Sequence, residues 1–378
     1  MGLRDVERSR VVRVRLALRS RRLKPVRVGA SLSLSGSFQR QGEQARDGLQ
    51  LWVDYARDTG DGTAPRLIVF DDGSRAGLAE AHVRRLLAEE HVDVLMGPYS
   101  SRLVLAVAAI AAAAGKVLWN HGGTSDAIVR EGGPHVVSVA SPASDYFRDL
   151  PAWIRSRAPG ASGVRILYAT TGTFAREVAR GAAEGARVAG FGDVEVTAFA
   201  SPLRDAGAIL REAAGREPDL LIGVGAFQDD LAIALARAVL PRKTVVALVA
   251  AGLRGFGDEA GDLAEGIIGP SQWEPTAGDV PDTGPGSTWF ADAFERAFGK
   301  PAEYPAAQAF ATGLILGECR RRCAGRLADA ALLSAAQTLE TTTFYGGFRL
   351  DRVTGGQVGH RIRLVQWREG RKRVIGEA

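Results

Sequence analysis

The chain of 378 residues has only two cysteines, Cys319 and Cys323, and five histidines. The cysteines lie four residues apart in a segment predicted to be helical, where helix geometry disfavours a disulfide. None of the histidines has the spacing of metal ligands. The sequence therefore predicts neither a disulfide framework nor a metal site, and we assign the cysteines no role.

Long apolar runs are also missing, since none approaches the ~18–20 residues that cross a bilayer. The composition, with 46% hydrophobic and 24% charged residues, is typical of a soluble globular protein. The 48 Lys and Arg residues only slightly outnumber the 43 Asp and Glu residues, and the surplus is densest near the N-terminus. Because the body of the chain is nearly neutral, we expect no nucleic-acid partner.

The segment 1–25 is basic, as is the first part of a secretory signal peptide. Its apolar stretch is interrupted by Arg13, Arg15 and Arg19, whereas a signal peptide requires ~7 or more clean apolar residues. We expect a disordered basic segment over residues 1–25. No signal peptide is evident in the sequence, which leaves open a cytoplasmic location or an incorrectly assigned start.

From residue 26 onward, short apolar runs alternate with amphipathic segments of helix length. The strands predicted in a first series are VRVGASLSL, RLIVFDD, VDVLMG and KVLWN, and those in a second series are VRILYA, VEVTAF, PDLLIGV and TVVALVA. Continuous apolar strands alternating with helices predict parallel sheets covered on both faces. At this length we also expect two cores, since single cores stop growing near ~250–300 residues.

The predicted strands end in small, polar or aromatic residues, among them GPYSS, NHGGTSD, ATTGTF and GAFQDD. Ligands of open parallel sheets bind at the carboxyl ends of the strands. Two sheets that present such loops to each other would form a ligand cleft between lobes.

Motifs for catalysis are weak. The run GVGAF lacks the third glycine of a dinucleotide fingerprint, and GPYSS lacks the GxSxG pattern of a nucleophile elbow. Ser100 and Ser101 are equally explained as a helix N-cap. Asp71 and Asp72 follow a strand without a partner lysine or metal-ligand spacing. We therefore expect no enzyme and no cofactor, and an enzyme that uses Asp71, Asp72 or Ser101 is the least favoured alternative.

Three long segments together resemble the type I periplasmic binding proteins, in particular the Leu/Ile/Val-binding branch of ABC-transporter solute-binding proteins. The segments are VGASLSLSGSFQRQGEQARDGLQLWVDYAR, VDVLMGPYSSRLVLAVAAIAAAAGKVLWNHGGTSD and FYGGFRLDRVTGGQVGHRIRLVQW. The resemblance implies an α/β fold of two doubly wound parallel-sheet lobes joined by a hinge. Lobe 1 would comprise residues 26–141 and 275–342, lobe 2 would comprise residues 142–274 and 343–378, and the ligand cleft would lie between them.

In that family the ligand carboxylate is held by a serine at the helix start and by the loop after the fourth strand, which correspond here to Ser101, Gly122 and Thr124. Helix N-termini attract anions, and glycine allows close approach of the backbone. A tight turn alone would also explain Gly122 and Gly123. The ligand-binding residues that the resemblance implies are Gln41, Tyr99, Ser101, Asn120, Gly122, Gly123, Thr124, Phe174, Phe227 and Ala251.

The sequence departs from the family at the position of the acid that pairs with a ligand ammonium, where it has Ala251. An ammonium buried without a partner is unfavourable by about 1–3 kcal/mol or more. Unless Asp229 replaces that acid, we expect a small carboxylate with a neutral tail, aromatic if Phe174 and Phe227 contact it, rather than an amino acid. The implied function is ligand capture for an ABC permease in the periplasm or outside the cell. The alternative is a cytoplasmic sensor of the amide-responsive type.

Overall fold

The computed structural model describes residues 26–59, 65–277 and 280–377. The segment 1–25, for which the sequence predicts disorder, lies outside the described residues. Within the described residues, no helix is both long and apolar enough to cross a membrane.

The first lobe is built on a parallel five-stranded sheet with the order β2-β1-β3-β4-β5. Its strands are β1 (Arg27–Leu32), β2 (Arg66–Asp71), β3 (Val94–Met96), β4 (Leu118–Asn120) and β5 (Val136–Ser138). The helices between them are α1 (Gln39–Thr59), α2 (Ala76–Ala88), α3 (Ser101–Ala113) and α4 (Ala127–Glu131). The nearly all-apolar α3 packs against α2 and the sheet, where Leu103, Val104 and Val107 are buried.

The second lobe is built on a seven-stranded sheet with the order β14-β13-β10-β9-β8-β6-β7. Its strands are β6 (Gly163–Ala169), β7 (Asp193–Phe199), β8 (Leu220–Val224), β9 (Val245–Leu248), β10 (Ile268–Ser271), β13 (Arg363–Arg368) and β14 (Arg371–Glu377). Its helices are α5 (Leu150–Arg157), α6 (Phe174–Val188), α7 (Ala206–Ala214), α8 (Phe227–Ala236) and α9 (Arg254–Ala260). Antiparallel pairing in this sheet is confined to β13, which pairs with β10 and β14, so the predicted fold of two parallel-sheet α/β lobes is confirmed.

Between β10 and β13 the chain returns to the first lobe. It forms α10 (Ser287–Phe298), α11 (Tyr304–Arg322) and α12 (Asp329–Thr338), then the hairpin of β11 (Thr341–Thr343) and β12 (Gly346–Phe348). Phe344, Tyr345 and Leu350 pack in the first core, whereas Ile362 packs in the second. The lobe boundary predicted at residue 343 therefore needs correction, because the last crossing lies between Leu350 and Ile362.

Three segments connect the lobes, and they meet at one buried point. The side chain of Gln272, directly after β10, bonds both the N–H and the carbonyl of Ser141, which follows β5. His360, on the third crossing, lies 2.7 Å from the Ser141 hydroxyl and 2.9 Å from the Gln272 carbonyl oxygen. The hinge is thus a hydrogen-bonded cluster of one residue from each crossing.

Candidate functional site

Ser100 and Ser101, at the start of α3, make different hydrogen bonds. Ser100 is the N-cap, since its hydroxyl oxygen accepts the Leu103 N–H at 3.4 Å. The Ser101 hydroxyl oxygen accepts the N–H groups of Thr124 at 3.1 Å and Ser125 at 2.9 Å. Ser101 therefore holds the loop after β4 against the helix start, while the capping role falls to Ser100.

Asn120 shapes the same loop from inside. Its side-chain oxygen accepts the N–H groups of Gly122 and Gly123, and its amide nitrogen donates to the Gly123 carbonyl and the Ser138 hydroxyl. These four bonds use the full capacity of an asparagine side chain, and the residue is completely buried. Asn120 was predicted to bind the ligand, but in the structure it positions the loop.

The glycines after Asn120 are required by the protein's own packing. The backbone of Gly122 pairs with that of Tyr99, and a Cβ on Gly122 would lie 2.8 Å from the Tyr99 Cα. A Cβ on Gly123 would lie 2.6 Å from the Ile128 Cδ1. These distances are too short for carbon atoms. Packing within the first lobe thus accounts for both glycines, which is the explanation that the sequence left open beside ligand binding.

Tyr146, on the first crossing, joins the predicted residues of the two lobes. Its hydroxyl lies 3.5 Å from the Thr124 hydroxyl of the first lobe, and its ring packs edge-on against Phe174 with the centroids 5.2 Å apart. Its hydroxyl oxygen also accepts a hydrogen bond from Gln272. Neither Tyr146 nor Gln272 was predicted, since both lie on crossing segments outside the βα units whose strand ends we searched.

Further aromatic residues surround Tyr99. Its ring centroid is 6.0 Å from that of Phe38, and its hydroxyl is 3.4 Å from the hydroxyl of Tyr304 at the start of α11. Burial raises the pKa of Tyr99, Tyr146 and Tyr304 above the ordinary value of a tyrosine. These phenols remain protonated and neutral at physiological pH, so none of them would repel a bound anion.

The two lobes are also joined by direct hydrogen bonds next to Phe174. The hydroxyls of Ser125 and Thr173 are 2.8 Å apart. Glu177, in the first turn of α6, accepts the N–H groups of Asp126 and Ala127 at the start of α4. These contacts join the loop after β4 to the loop after β6, as expected for strand ends that face each other.

The acidic residues of the second lobe are committed to its own backbone. Asp229 accepts the Ser201 hydroxyl and the N–H groups of Leu203 and Ala226. Asp230 accepts the N–H groups of Gly225 and Ala250, and burial raises its pKa to about 7. Both oxygens of Asp229 are therefore bonded within the second lobe, and Asp230 is not a permanent anion.

Three other predicted site residues lie outside the cluster of Ser101, Thr124 and Phe174. Ala251 has no exposed surface and lies in the second core, and its carbonyl oxygen accepts a hydrogen bond from the Trp367 indole N–H. Gln41 is half-buried in the first turn of α1, and Phe227 is half-buried at the start of α8, packed against the second core. Among the described residues, none of the three is hydrogen-bonded or stacked to the cluster of Ser101, Thr124 and Phe174.

The carboxylates considered for catalysis have structural roles. Asp71 accepts the N–H groups of Leu34, Ser35 and Gly73 and the Ser35 hydroxyl. Asp72, completely buried, accepts the hydroxyls of Ser31 and Ser33. Both carboxylates tie the segment at the end of β1 to the end of β2.

The Ser101 hydroxyl can still donate a hydrogen bond to a ligand. A hydroxyl oxygen accepts at most two hydrogen bonds and donates one. The Ser101 oxygen already accepts two backbone N–H groups. In the described part of the chain its proton has no acceptor, so Ser101 can only donate to an incoming group. Such a hydroxyl suits an anion such as a carboxylate.

Comparison with known proteins supports the same architecture. A family model described as periplasmic binding protein matches residues 25–372. A curated relative from Brucella abortus, "Leu/Ile/Val-binding protein homolog 8", is 24% identical over 291 residues, which are 73% of this chain and 71% of the relative.

Solved structures share the fold at low sequence identity. The leucine-binding protein LivK of Thermotoga maritima has a TM-score of 0.80 and 18% identity, with 93% of this chain and 98% of that chain covered. A solute-binding protein of R. palustris in complex with benzoate has a TM-score of 0.76 and 21% identity, with 93% and 96% covered. LivJ of Streptococcus pneumoniae in complex with isoleucine has a TM-score of 0.78 and 18% identity, with 93% and 99% covered.

Proposed function

Because the chain belongs to the periplasmic binding protein family, we propose that it is the solute-binding component of an ABC transporter. It captures a small carboxylate between its lobes and delivers it to a membrane permease. Its place of action is the periplasm or the outer side of the cell membrane. Closure of the two lobes on the ligand would present a surface to the permease that the open form lacks.

The observation that carries this proposal is the hydroxyl of Ser101. Its oxygen is saturated by the N–H groups of Thr124 and Ser125, so its proton is the part left to interact with a ligand. Ser101 is also the first residue of the 13-residue helix α3, whose N-terminus carries a partial positive charge. A carboxylate satisfies both features at once.

The second lobe favours a carboxylate with an uncharged tail. Each carboxylate oxygen of Asp229 and Asp230 already accepts a hydrogen bond from the second lobe, and the side chain of Ala251 is a methyl group. Aromatic rings of Tyr146 and Phe174 lie beside Thr124 instead. An aromatic acid gains stacking of about 0.5–1.5 kcal/mol for each ring pair beyond its buried area. The benzoate complex of the R. palustris relative shows that this fold accommodates such a ligand.

Titration calorimetry and thermal shift with four compounds test this function. We expect benzoate and 4-hydroxybenzoate to raise the melting temperature, and 4-methyl-2-oxopentanoate to bind more tightly than leucine, its amino counterpart. Leucine binding at least tenfold more tightly than the keto acid would show that an ammonium partner exists. If none of the four compounds stabilises the protein, a carboxylate-binding role is wrong.

The cellular location of the protein is tested separately. Fractionation of cells that express the native gene should recover the protein with periplasmic or cell-surface material. Recovery in the cytoplasm alone would instead favour the sensor that the sequence left as an alternative.

A further inference from the structure

The amide of Gln272 has a fixed orientation. Its Oε1 accepts the Ser141 N–H at 3.2 Å, and its Nε2 donates to the Ser141 carbonyl at 3.1 Å. A backbone N–H can only donate and a carbonyl can only accept, so the amide cannot be flipped. The Tyr345 hydroxyl donates to the same Oε1 at 2.8 Å. Gln272 is 1% exposed, so no water competes for these bonds.

His360 reinforces this arrangement. Its Nε2 lies 2.9 Å from the Gln272 carbonyl oxygen and 3.2 Å from the Tyr345 carbonyl oxygen. Because both partners are acceptors, Nε2 carries the proton, and Nδ1 accepts the Ser141 hydroxyl proton at 2.7 Å. The ring also stacks on Tyr345 with the centroids 4.3 Å apart. The donor and acceptor roles in the hinge are therefore all determined.

The orientation of Gln272 determines the direction of the next bonds. Its second Nε2 proton is donated to the Tyr146 hydroxyl oxygen at 3.3 Å. The Tyr146 proton must then point away from Gln272, toward the Thr124 hydroxyl 3.5 Å away. That distance is long for a bond between two hydroxyls. The hydrogen bond from Tyr146 to Thr124 is therefore weak. Because Thr124 is the acceptor in this bond, its own hydroxyl proton is available to another partner.

We propose that Gln272 is a specificity-determining positioning residue, which turns the hydroxyls of Tyr146 and Thr124 into donors toward the ligand and so selects a carboxylate over its neutral amide. The inference rests on the proposed function, because it concerns the same ligand site. With Ser101, whose hydroxyl holds the Thr124 backbone, the site then has three hydroxyl donors, on a helix start, a loop and a crossing segment. A carboxylate accepts from all three, whereas the NH₂ group of an amide faces a donor.

Three variants separate the direction of the hydrogen bonds from the effect of charge. Gln272→Glu replaces the donor Nε2 by an acceptor, so the Tyr146 proton turns toward residue 272 and a negative charge is added. Tyr146→Phe removes the directed proton without adding charge. Gln357→Glu adds a similar charge on the third crossing, where Gln357 is 4% exposed and donates to the Val139 carbonyl, without contact to Tyr146.

The measurement is the ratio of dissociation constants within two ligand pairs, benzoate with benzamide and leucine with leucinamide, by calorimetry. The prediction applies to the pair whose acid binds the wild type. We expect the preference for the acid to fall about tenfold or more in Gln272→Glu and about fivefold in Tyr146→Phe. These losses are of the size expected for a hydrogen bond to a charged group. In Gln357→Glu the preference should change less than threefold.

The outcomes distinguish this inference from the proposed function. Equal losses of preference in Gln272→Glu and Gln357→Glu, with Tyr146→Phe unchanged, would overturn the role of Gln272 and leave carboxylate binding intact. If Gln272→Glu fails to fold, the comparison of Tyr146→Phe with Gln357→Glu decides alone. If neither benzoate nor leucine binds the wild type, the same ratio is measured for 4-methyl-2-oxopentanoate or 4-hydroxybenzoate and its amide. If none of the four compounds binds, the proposed function fails and this inference fails with it.

Discussion

The Oε2 atom of Glu177 accepts the backbone N–H of Asp126 at 2.7 Å and thereby joins the second lobe to the first. Oε1 of the same carboxylate accepts the Ala127 N–H at 3.0 Å, and Arg130 donates to it as well. The Glu177 side chain is 7% exposed. The start of α4 in one lobe is thus capped by a carboxylate from α6 in the other, close to the predicted ligand loop.

Replacement of Glu177 by Gln should destabilise the protein. An amide offers one oxygen to the two N–H groups and turns its NH₂ toward the other, which leaves a buried donor unpaired at a cost of about 1–3 kcal/mol. Urea denaturation of the variant measures this loss. The matched control is Glu184→Gln, on the same helix, because the Glu184 side chain is 52% exposed and pairs with Arg148 at the surface. The control should change the free energy of unfolding by less than about 0.5 kcal/mol, and equal effects of the two changes would contradict the capping role.

Ser101→Ala should weaken binding of the carboxylate ligand by roughly 1–2 kcal/mol, or about tenfold in dissociation constant. It also leaves the N–H groups of Thr124 and Ser125 without their acceptor, so the melting temperature should fall. Ser100→Ala provides the comparison, since it removes only the N-cap of α3. We expect that variant to melt at a lower temperature with its dissociation constant unchanged within twofold. An unchanged affinity in Ser101→Ala would show that the hydroxyl serves the loop alone.

The sequence predicted the two α/β lobes because eight strands carry apolar runs long enough to recognise. It did not show β5 (Val136–Ser138) or β10 (Ile268–Ser271), which have three and four residues. Both strands lie directly before crossings, where the chain leaves a sheet after a few pairings. The equally short β3 and β4 belong to the strand–helix alternation of the first series, whereas β5 and β10 do not, so the segments that form the hinge are those the pattern leaves out.

The candidate site could be predicted only where it is local in sequence. Ser101 and Thr124 follow consecutive strands of one sheet, and the rule about carboxyl ends places them together. Tyr146 and Gln272 are 126 residues apart, and no spacing connects them. Asn120 and Ala251 were chosen by position in the family pattern, which does not show whether a side chain is already saturated or buried. That information comes from hydrogen-bond partners and exposure in the folded chain.

Phe174→Leu should reduce affinity for aromatic acids more than for aliphatic ones. Leucine retains most of the apolar volume but loses the edge-to-face contact with Tyr146 and the ring available to a ligand. Since aromatic pairs contribute about 0.5–1.5 kcal/mol beyond buried area, we expect a loss of about three- to tenfold for benzoate and less than twofold for 4-methyl-2-oxopentanoate. Phe191→Leu, in the second core, should lower stability without a change in this ratio. Equal losses for the two acids in Phe174→Leu would mean that no aromatic contact is made.

The stability of the protein should fall as the pH drops from 6.5 toward 4, because two buried histidines resist protonation. Burial lowers the pKa of His121 and of His360 to about 4, whereas the ordinary value in an unfolded chain is about 6.5. Well above pH 6.5 both states are neutral and stability does not depend on these groups. Between pH 6.5 and 4 the unfolded state binds protons that the folded state does not, so each histidine lowers the free energy of unfolding by up to roughly 3 kcal/mol.

His121→Leu tests this pH dependence most directly. Neither ring nitrogen of His121 makes a hydrogen bond of good geometry among the described residues, although the Gly97 backbone lies beside the ring. An apolar side chain of similar size should therefore leave stability at pH 7.5 unchanged or slightly higher. Between pH 6.5 and 5, above the range in which most carboxylates titrate, the variant should lose less stability than the wild type. Urea denaturation of both proteins at pH 7.5, 6.5, 5.75 and 5 gives the two slopes. Identical slopes would mean that His121 titrates normally in the folded protein, and a large loss of stability at pH 7.5 would mean that its ring nitrogens are bonded after all.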